Sequence, residues 1–437
     1  MHFLTFISLL LLAIVASADQ NEIPEDLLTD PNIEAWVIAI RRDLHTTPEL
    51  MYKETVTSAK IQTALRSLDI NFKMGYGRNT KPERIEGAGG TGVIADIGTG
   101  KPPTVLLRAD MDGLPIDESK RTDLEFRSTH PGRMHACGHD GHTSMLLGAA
   151  RVLKSMEGNI NGTVRLMFQP AEEGGAGGKR MRDEGILEME PAVERAFGLH
   201  LWPGLPSGVI GGKSGVVLAA CDRFQILIHG VGGHAAMPHL TKDPIVATAA
   251  MVQGFQTIIS RGLHPLESGV VSVTKLDGGS AFNVIPSGIT MWGTVRALST
   301  ETLVTLMKRV ETVGGDIAKS FGCNITVTWS PDFYPPTVND KDLWDNFASG
   351  VAAQVSETKE YVDVVPTMGA EDFGFIAERV PSAFYLLGQG SAPGTDYGLH
   401  HPMFSIDESV LIKGVELHVR SALGSLEDLW KKREEEA

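Results

Sequence analysis

The chain has 437 residues, 42% of them apolar and 21% charged, with a net charge of −15 at neutral pH. That length exceeds what one hydrophobic core usually holds, so two domains are the starting expectation. Acidity without a basic stripe or basic–aromatic interleaving argues against nucleic acid as a partner. The 48 glycines exceed the usual share of roughly 7% and suit a loop-rich α/β enzyme.

Phe3 to Ala16 is an apolar run too short and too near the start to span a membrane. Ala16-Ser17-Ala18 follows with the small-x-small pattern of a cleavage site, so residues 1–18 read as a signal peptide despite the lack of Lys or Arg ahead of the run. The competing reading is a buried N-terminal helix. Entry into the secretory pathway would make Asn161-Gly162-Thr163 and Asn324-Ile325-Thr326 glycosylation acceptors. The terminal Glu434-Glu435-Glu436-Ala437 is no ER-retention signal.

Asp30-Pro31 predicts an N-cap and a first helical position, and Ile33, Trp36, Val37, Ile40 and Leu44 then recur with helical period. A second amphipathic helix is expected from Glu54 to Leu68. Thr91 to Ile97 and Thr104 to Leu107 read as strands, the latter running into Arg108-Ala109-Asp110-Met111-Asp112. A helix should follow His142, and Val164 to Phe168 and Arg195 to Leu201 are further strands. Strands alternating with helices, with polar residues at the strand ends, describe a mostly parallel α/β sheet with an active-site edge. The first part of this catalytic domain covers residues 30–215.

Beyond Gly211-Gly212-Lys213-Ser214-Gly215 the pattern changes. Strands at 222–229, 269–275, 289–297 and 324–329, with helices at 243–261 and 300–320, give the βαββαβ order of a ferredoxin-like unit over 220–331. Helix–strand alternation resumes over 335–430, so the chain leaves the first domain, builds a second and returns. In such a unit the first and last strands are antiparallel neighbours, which sets Cys221 and Cys323 at opposite ends, roughly 20 Å apart. That is beyond disulfide reach. Two free thiols are expected.

Four polar clusters stand at the ends of apolar runs: Cys137-Gly138-His139-Asp140, Glu172-Glu173, His200 and His400-His401. Cys137 and His139, read as extended chain, would project on one face. Taken alone, a Cys-x-His pair or a single strand histidine is as readily a buried, hydrogen-bonded group. His142 is assigned to the start of the next helix and kept out of metal contact. Glu172 and Glu173 follow a strand and precede a glycine-rich segment, and two carboxylates crowded into one site must differ in role or in pKa. One can bind a cation while the other moves a proton. Thiolate, imidazole and carboxylate together point to divalent transition metals and metal-assisted hydrolysis.

Seven stretches, in order, carry a family resemblance: Arg41 to Leu50, Arg108 to Asp112, Met134 to Asp140, Gln169 to Glu173, Gly232 to Ala236, Ala281 to Pro286 and Ala370 to Phe373. Over nearly its whole mature length the chain resembles the di-metal amidohydrolases that include aminoacylases, hippurate hydrolases and plant auxin–amino acid conjugate hydrolases. Tyr334 to Asp340 looks most like the auxin-conjugate branch. The resemblance implies two divalent ions (manganese, cobalt or zinc) held by Cys137, His139, Glu173, His200 and a C-terminal histidine. It makes Glu172 the general base and Asp112 a group that orients a ligand; Asp110 is assigned no metal contact. The family's last ligand lies in Leu-His-Ser-Pro, here Leu399-His400-His401-Pro402, so His400 matches it while His401 stays an alternative. The inserted unit becomes a dimerisation or lid domain whose His234 reaches the neighbouring subunit's site, with Asn283 and Arg296 holding the substrate.

The implied substrate is a small N-acyl amino acid, indole-3-acetyl conjugates being preferred. An aminoacylase or hippurate-type hydrolase, or a dipeptidase or carboxypeptidase, on the same scaffold is the nearest alternative. A non-catalytic metal-binding protein would have no need of a spare base beside Glu173. A redox role for Cys137 lacks a nearby resolving cysteine.

Overall fold

The computed structural model describes residues 30–390, 394–395 and 397–436. The expected signal peptide lies outside them. The first described helix, Pro31–His45, begins where anticipated: the Asp30 carboxylate accepts the Asn32 amide at 2.8 Å, and Pro31 lacks an amide that would need a partner. Its buried side includes Ile33, Val37 and Leu44. The second, Thr55–Ser67, buries Ile61 and Leu65.

Eight strands build the main sheet, in the order Phe72–Arg78, Gly89–Gly98, Thr163–Gln169, Thr104–Asp110, Arg195–Trp202, Ser382–Gly388, Ile210–Gly212, Val362–Asp363. The central four are mutually parallel, and antiparallel strands flank them on both sides. Three of the four are buried along their whole length, as expected where both faces of a parallel sheet are covered. Alternation divides them between two cores. Val105, Leu107 and Tyr385 pack with Val37, Leu146 and Val415 from the helices Pro31–His45, His139–Ser155 and Leu411–Glu436. Leu106, Met167 and Phe384 face Met181, Phe373 and Ile376 on the other side.

The strand expected to end at Leu107 continues to Asp110, because Arg108 and Asp110 neutralise each other inside. The edge strand Phe72–Arg78 was not anticipated; its two positive-φ glycines, Gly75 and Gly77, break the alternation that would have revealed it.

The inserted sheet runs Gly269–Asp277, Gly288–Ala297, Ala220–His229, Asn324–Trp329, antiparallel throughout. Helices Pro244–Gly262 and Thr300–Ser320 cover one face, where Phe224, Ile226 and Met291 meet Phe255 and Leu306. The opposite face carries Arg223, Gln225, Trp292 and Arg296, none of them fully buried. Asn324 pairs with His229 and Trp329 with Phe224, so Cys323 lies near the His229 end and Cys221 at the other. Both are free, as is Cys137. The α/β class, with a mostly parallel main sheet and a βαββαβ insertion, is the architecture observed. No helix among the described residues is long and apolar enough to cross a membrane.

Candidate functional site

The parallel strands Thr104–Asp110, Thr163–Gln169 and Arg195–Trp202 end on the same side, and the segments that follow them bring the polar clusters to one cleft of about 600 Å³. Cys137, Glu172, Glu173, His200 and His400 line it. Cys137 Sγ is 3.4 Å from His200 Nε2, and His400 Nε2 is 3.2 Å from Glu173 Oε1. Donor atoms of Cys137, His139 and His200, of Cys137, Glu173 and His400, and of His139, Glu172 and Glu173 form three groups, each within 4.8 Å internally. The first two share Cys137, the arrangement that a pair of adjacent cations would need.

One local expectation needs correction. Cys137 and His139 are not in extended chain. Gly138 has φ 99°, a left-handed turn that caps the helix, and the helix begins at His139 rather than after His142. The turn still delivers both side chains to the cleft end. His142 lies one turn on, and both its ring nitrogens are occupied: Nδ1 is 2.7 Å from Asp110 and Nε2 accepts the Leu201 amide at 3.0 Å. Asp110, bonded to His142 and Arg108, is likewise fully engaged. Asp112 accepts the amides of Glu172 and Glu173, each at 3.0 Å, and lies 3.3 Å from His139 Nδ1. It orients both the imidazole and the loop.

Of the two C-terminal histidines, His400 joins the cluster. His401 turns away to stack on Tyr397 at 4.4 Å and accepts the Met403 amide. Arg296 lines the cleft and donates to the Met368 carbonyl. His234 and Asn283 are exposed on the inserted unit, on or beside the paired strands Gly233–His234 and Val284–Ile285, and neither lines the cleft of its own chain.

The residues fit a metal. With Asp112 beside His139 Nδ1, His139 Nε2 and Glu173 Oε1 are left buried without a well-formed hydrogen bond, a costly state for polar groups that a cation would relieve. Burial, then the carboxylates of Glu371, Glu173 and Asp372, push the Glu172 carboxyl well above its ordinary value. Burial acts on Glu173 in the same direction, but His400 and His139 outweigh it and hold that carboxyl below its usual value. The adjacent glutamates are thus electrostatically distinct.

Residues 106–423 match peptidase family M20/M25/M40. IAA-amino acid hydrolase ILR1-like 2 of Arabidopsis thaliana is 42% identical, over 97% of this chain and 95% of the relative. N-acetyl-L-cysteine deacetylase of Bacillus subtilis is 38% identical, over 87% and 86%. The YXEP protein of Bacillus subtilis, described as a dinuclear metal binding peptidase, superposes with a TM-score of 0.72 at 34% identity, over 91% of this chain and 99% of that one. The chain belongs to peptidase family M20/M25/M40. Its class is that of a metal-dependent amidohydrolase.

Beneath the site of this family member lies a charged cluster centred on Arg108. The fully buried Arg108 donates to Gln169, Asp110, Glu371 and Asp372 at 2.7–3.2 Å. Burial works against its charge, but Glu371, Asp110 and Asp372 outweigh it and raise its pKa. The Asp372 amide in turn reaches Glu172 Oε1 at 3.3 Å. The available signal was the Arg-x-Asp-x-Asp alternation, which at strand period carries three charges on one face. Arg108→Met is expected to lower stability to urea by about 3–5 kcal/mol, because it strands buried carboxylates. A loss below about 1 kcal/mol, the size of an exposed pair, would contradict this.

Proposed function

We propose that this chain hydrolyses the amide bond of N-acyl amino acids with two bound divalent cations, and that indole-3-acetyl conjugates are its preferred substrates. The observation carrying the reading is Glu172. Its carboxylate lies within 4.8 Å of donor atoms of His139 and Glu173 and lines the cleft. A protein that only bound metal would not need it. Cys137, His139, Glu173, His200 and His400 would hold the cations, which fits manganese, cobalt or zinc. When bound, such a pair supplies positive charge that lowers the pKa of water and polarises a carbonyl.

Glu172 would take a proton from water as the water's oxygen adds to the amide carbonyl carbon, and would give that proton to the nitrogen as the C–N bond breaks, releasing acid and amino acid. Asp112 keeps His139 and the glutamate loop in register throughout. Two arginines, Arg223 and Arg296, line the cleft, and Arg296 is the one assigned to a substrate carboxylate. The apolar lining from Leu114, Trp202, Leu218 and Leu399 suits a flat aromatic acyl group, and the name of the Arabidopsis relative supports the same choice. The Bacillus deacetylase supports a second reading with smaller acyl groups.

His234 and Asn283 would act on a partner copy. Phe282, fully exposed, and the exposed Val231, Met237, Leu240 and Val284 surround them, and an apolar patch of that kind on a soluble protein favours a protein interface. We also assign the chain to the secretory pathway; both glycosylation asparagines, Asn161 and Asn324, are exposed.

The test is purified, manganese-loaded protein assayed on indole-3-acetyl, benzoyl and acetyl amino acids. Indole-3-acetyl conjugates should have the highest kcat/KM, and equal or better acetyl turnover would replace them with the second reading. Glu172→Gln should keep metal and fold while kcat falls about 10³-fold, within the range of general-base removal; near-normal turnover would remove it as the base. His234→Ala should inactivate without metal loss. Mixing that variant with Glu172→Gln should restore activity in hybrid dimers, and a mixture that stays inactive would rule out action between subunits.

A further inference from the structure

The loop Ala171–Ala176 carries both glutamates and is conformationally unfavourable. Ala171 and Ala176, at its two ends, have φ of 55° and 57°, a region that residues with a Cβ occupy only when their surroundings impose it. Side chains from elsewhere impose it. Glu54 accepts the Ala171 amide at 2.8 Å, Asp112 accepts those of Glu172 and Glu173, and the Tyr52 hydroxyl donates to the Gly175 carbonyl.

Arg223, on the first strand of the inserted sheet, donates to the Gly174 carbonyl at 3.2 Å, and the restraint with the most bonds is Tyr334. Its hydroxyl donates to the Glu172 carbonyl at 2.6 Å and accepts the amides of Gly174 and Ala176 at 3.0 and 2.9 Å. A phenol has one proton and two lone pairs, so its capacity is filled by this loop alone. Tyr334 also belongs to the segment by which the chain returns from the inserted sheet. There its amide and carbonyl pair with those of Cys221, at the outgoing segment, at 2.9 and 3.0 Å. Its ring packs on Phe375, 5.8 Å away and edge-on, in a small cluster with Ala176. One residue therefore ties both crossings of the inserted unit to the backbone beneath Glu172.

We propose that Tyr334 is a positioning residue: its hydroxyl couples the hinge of the inserted domain to the loop that aims Glu172, so turnover depends on it while substrate affinity does not. Its catalytic consequence rests on the reading of Glu172 as the base. The mechanical coupling does not.

The experiment combines hydrogen exchange with steady-state kinetics on the full chain, metal-free and manganese-loaded. In the unsubstituted protein the amides of Gly174, Ala176 and Cys221 should share one opening equilibrium; separate openings would overturn the coupling even if no variant folds. In Tyr334→Phe, exchange at Gly174 and Ala176 should accelerate about tenfold or more, as expected when a local restraint is lost. In the same variant kcat should fall about tenfold or more with KM within about twofold, the pattern of an interaction serving the transition state. Tyr385→Phe is the control, removing another buried phenol whose contact is Ser421; it should alter neither readout. Unchanged loop exchange, or a Tyr334→Phe effect matched by the control, would overturn the proposal. An unsubstituted protein inactive on every N-acyl amino acid would sink the functional reading, and exchange would then decide the coupling by itself.

Discussion

Six carboxylates, from Asp110, Asp112, Glu172, Glu173, Glu371 and Asp372, are drawn into one small volume at the ends of the parallel strands, and nearly all of it is buried. Such charge cannot persist in a protein interior without compensation. The fold supplies it from two directions. On the side of the sheet, the Arg108 guanidinium takes up Asp110, Glu371 and Asp372. On the cleft side, backbone amides satisfy Asp112, while Glu173 and His139 retain atoms without well-formed partners. The division explains why one half of the cluster is architecture and the other half is free for chemistry.

The same compensation shapes the local backbone. Glycine at 138 permits the left-handed turn that ends one loop and starts a helix within a single residue, so Cys137 and His139 both meet the cleft. The loop Ala171–Ala176 has alanines where glycine would be easier, and it is held by bonds from Tyr52 and Glu54, from Asp112, from Arg223 and from Tyr334. Rigidity in that loop suits the role proposed for Glu172, since a misplacement of about 1 Å can cost on the order of 10²-fold in rate.

Much of this was legible in the sequence. The four long strands and two long helices of the inserted unit were expected from alternation or helical period, and the ends of Thr300–Ser320 and Asn324–Trp329 fall where expected; the short paired strands Gly233–His234 and Val284–Ile285 were not expected. The ligand-type clusters stood out because thiol, imidazole and paired carboxylates have no packing reason to end apolar runs. Other features stayed hidden for physical reasons. The helix start at His139 depends on one glycine's positive φ, which no periodicity reports. Arg108 and Asp110 looked like a strand's exit because charges usually mark exposure, yet Asp110 is bonded to Arg108 and His142, and the further partners of Arg108, Glu371 and Asp372, lie more than 250 positions away. The hydroxyl of Tyr334 reaches its loop across 158–162 positions, a distance that local pattern cannot span. The alternatives at His400 and His401 could be separated only by direction: one turns to Glu173, the other to Tyr397.

The proposed function requires a pair of cations held by distant side chains around a glutamate that binds neither. Anomalous diffraction from a zinc-loaded crystal, recorded on both sides of the metal edge, tests it most directly. The account predicts two peaks within bonding reach of Cys137, His139, Glu173, His200 and His400, with the Glu172 carboxylate bonded to neither. An absence of peaks at that cleft, a single peak, or Glu172 as a ligand would contradict it.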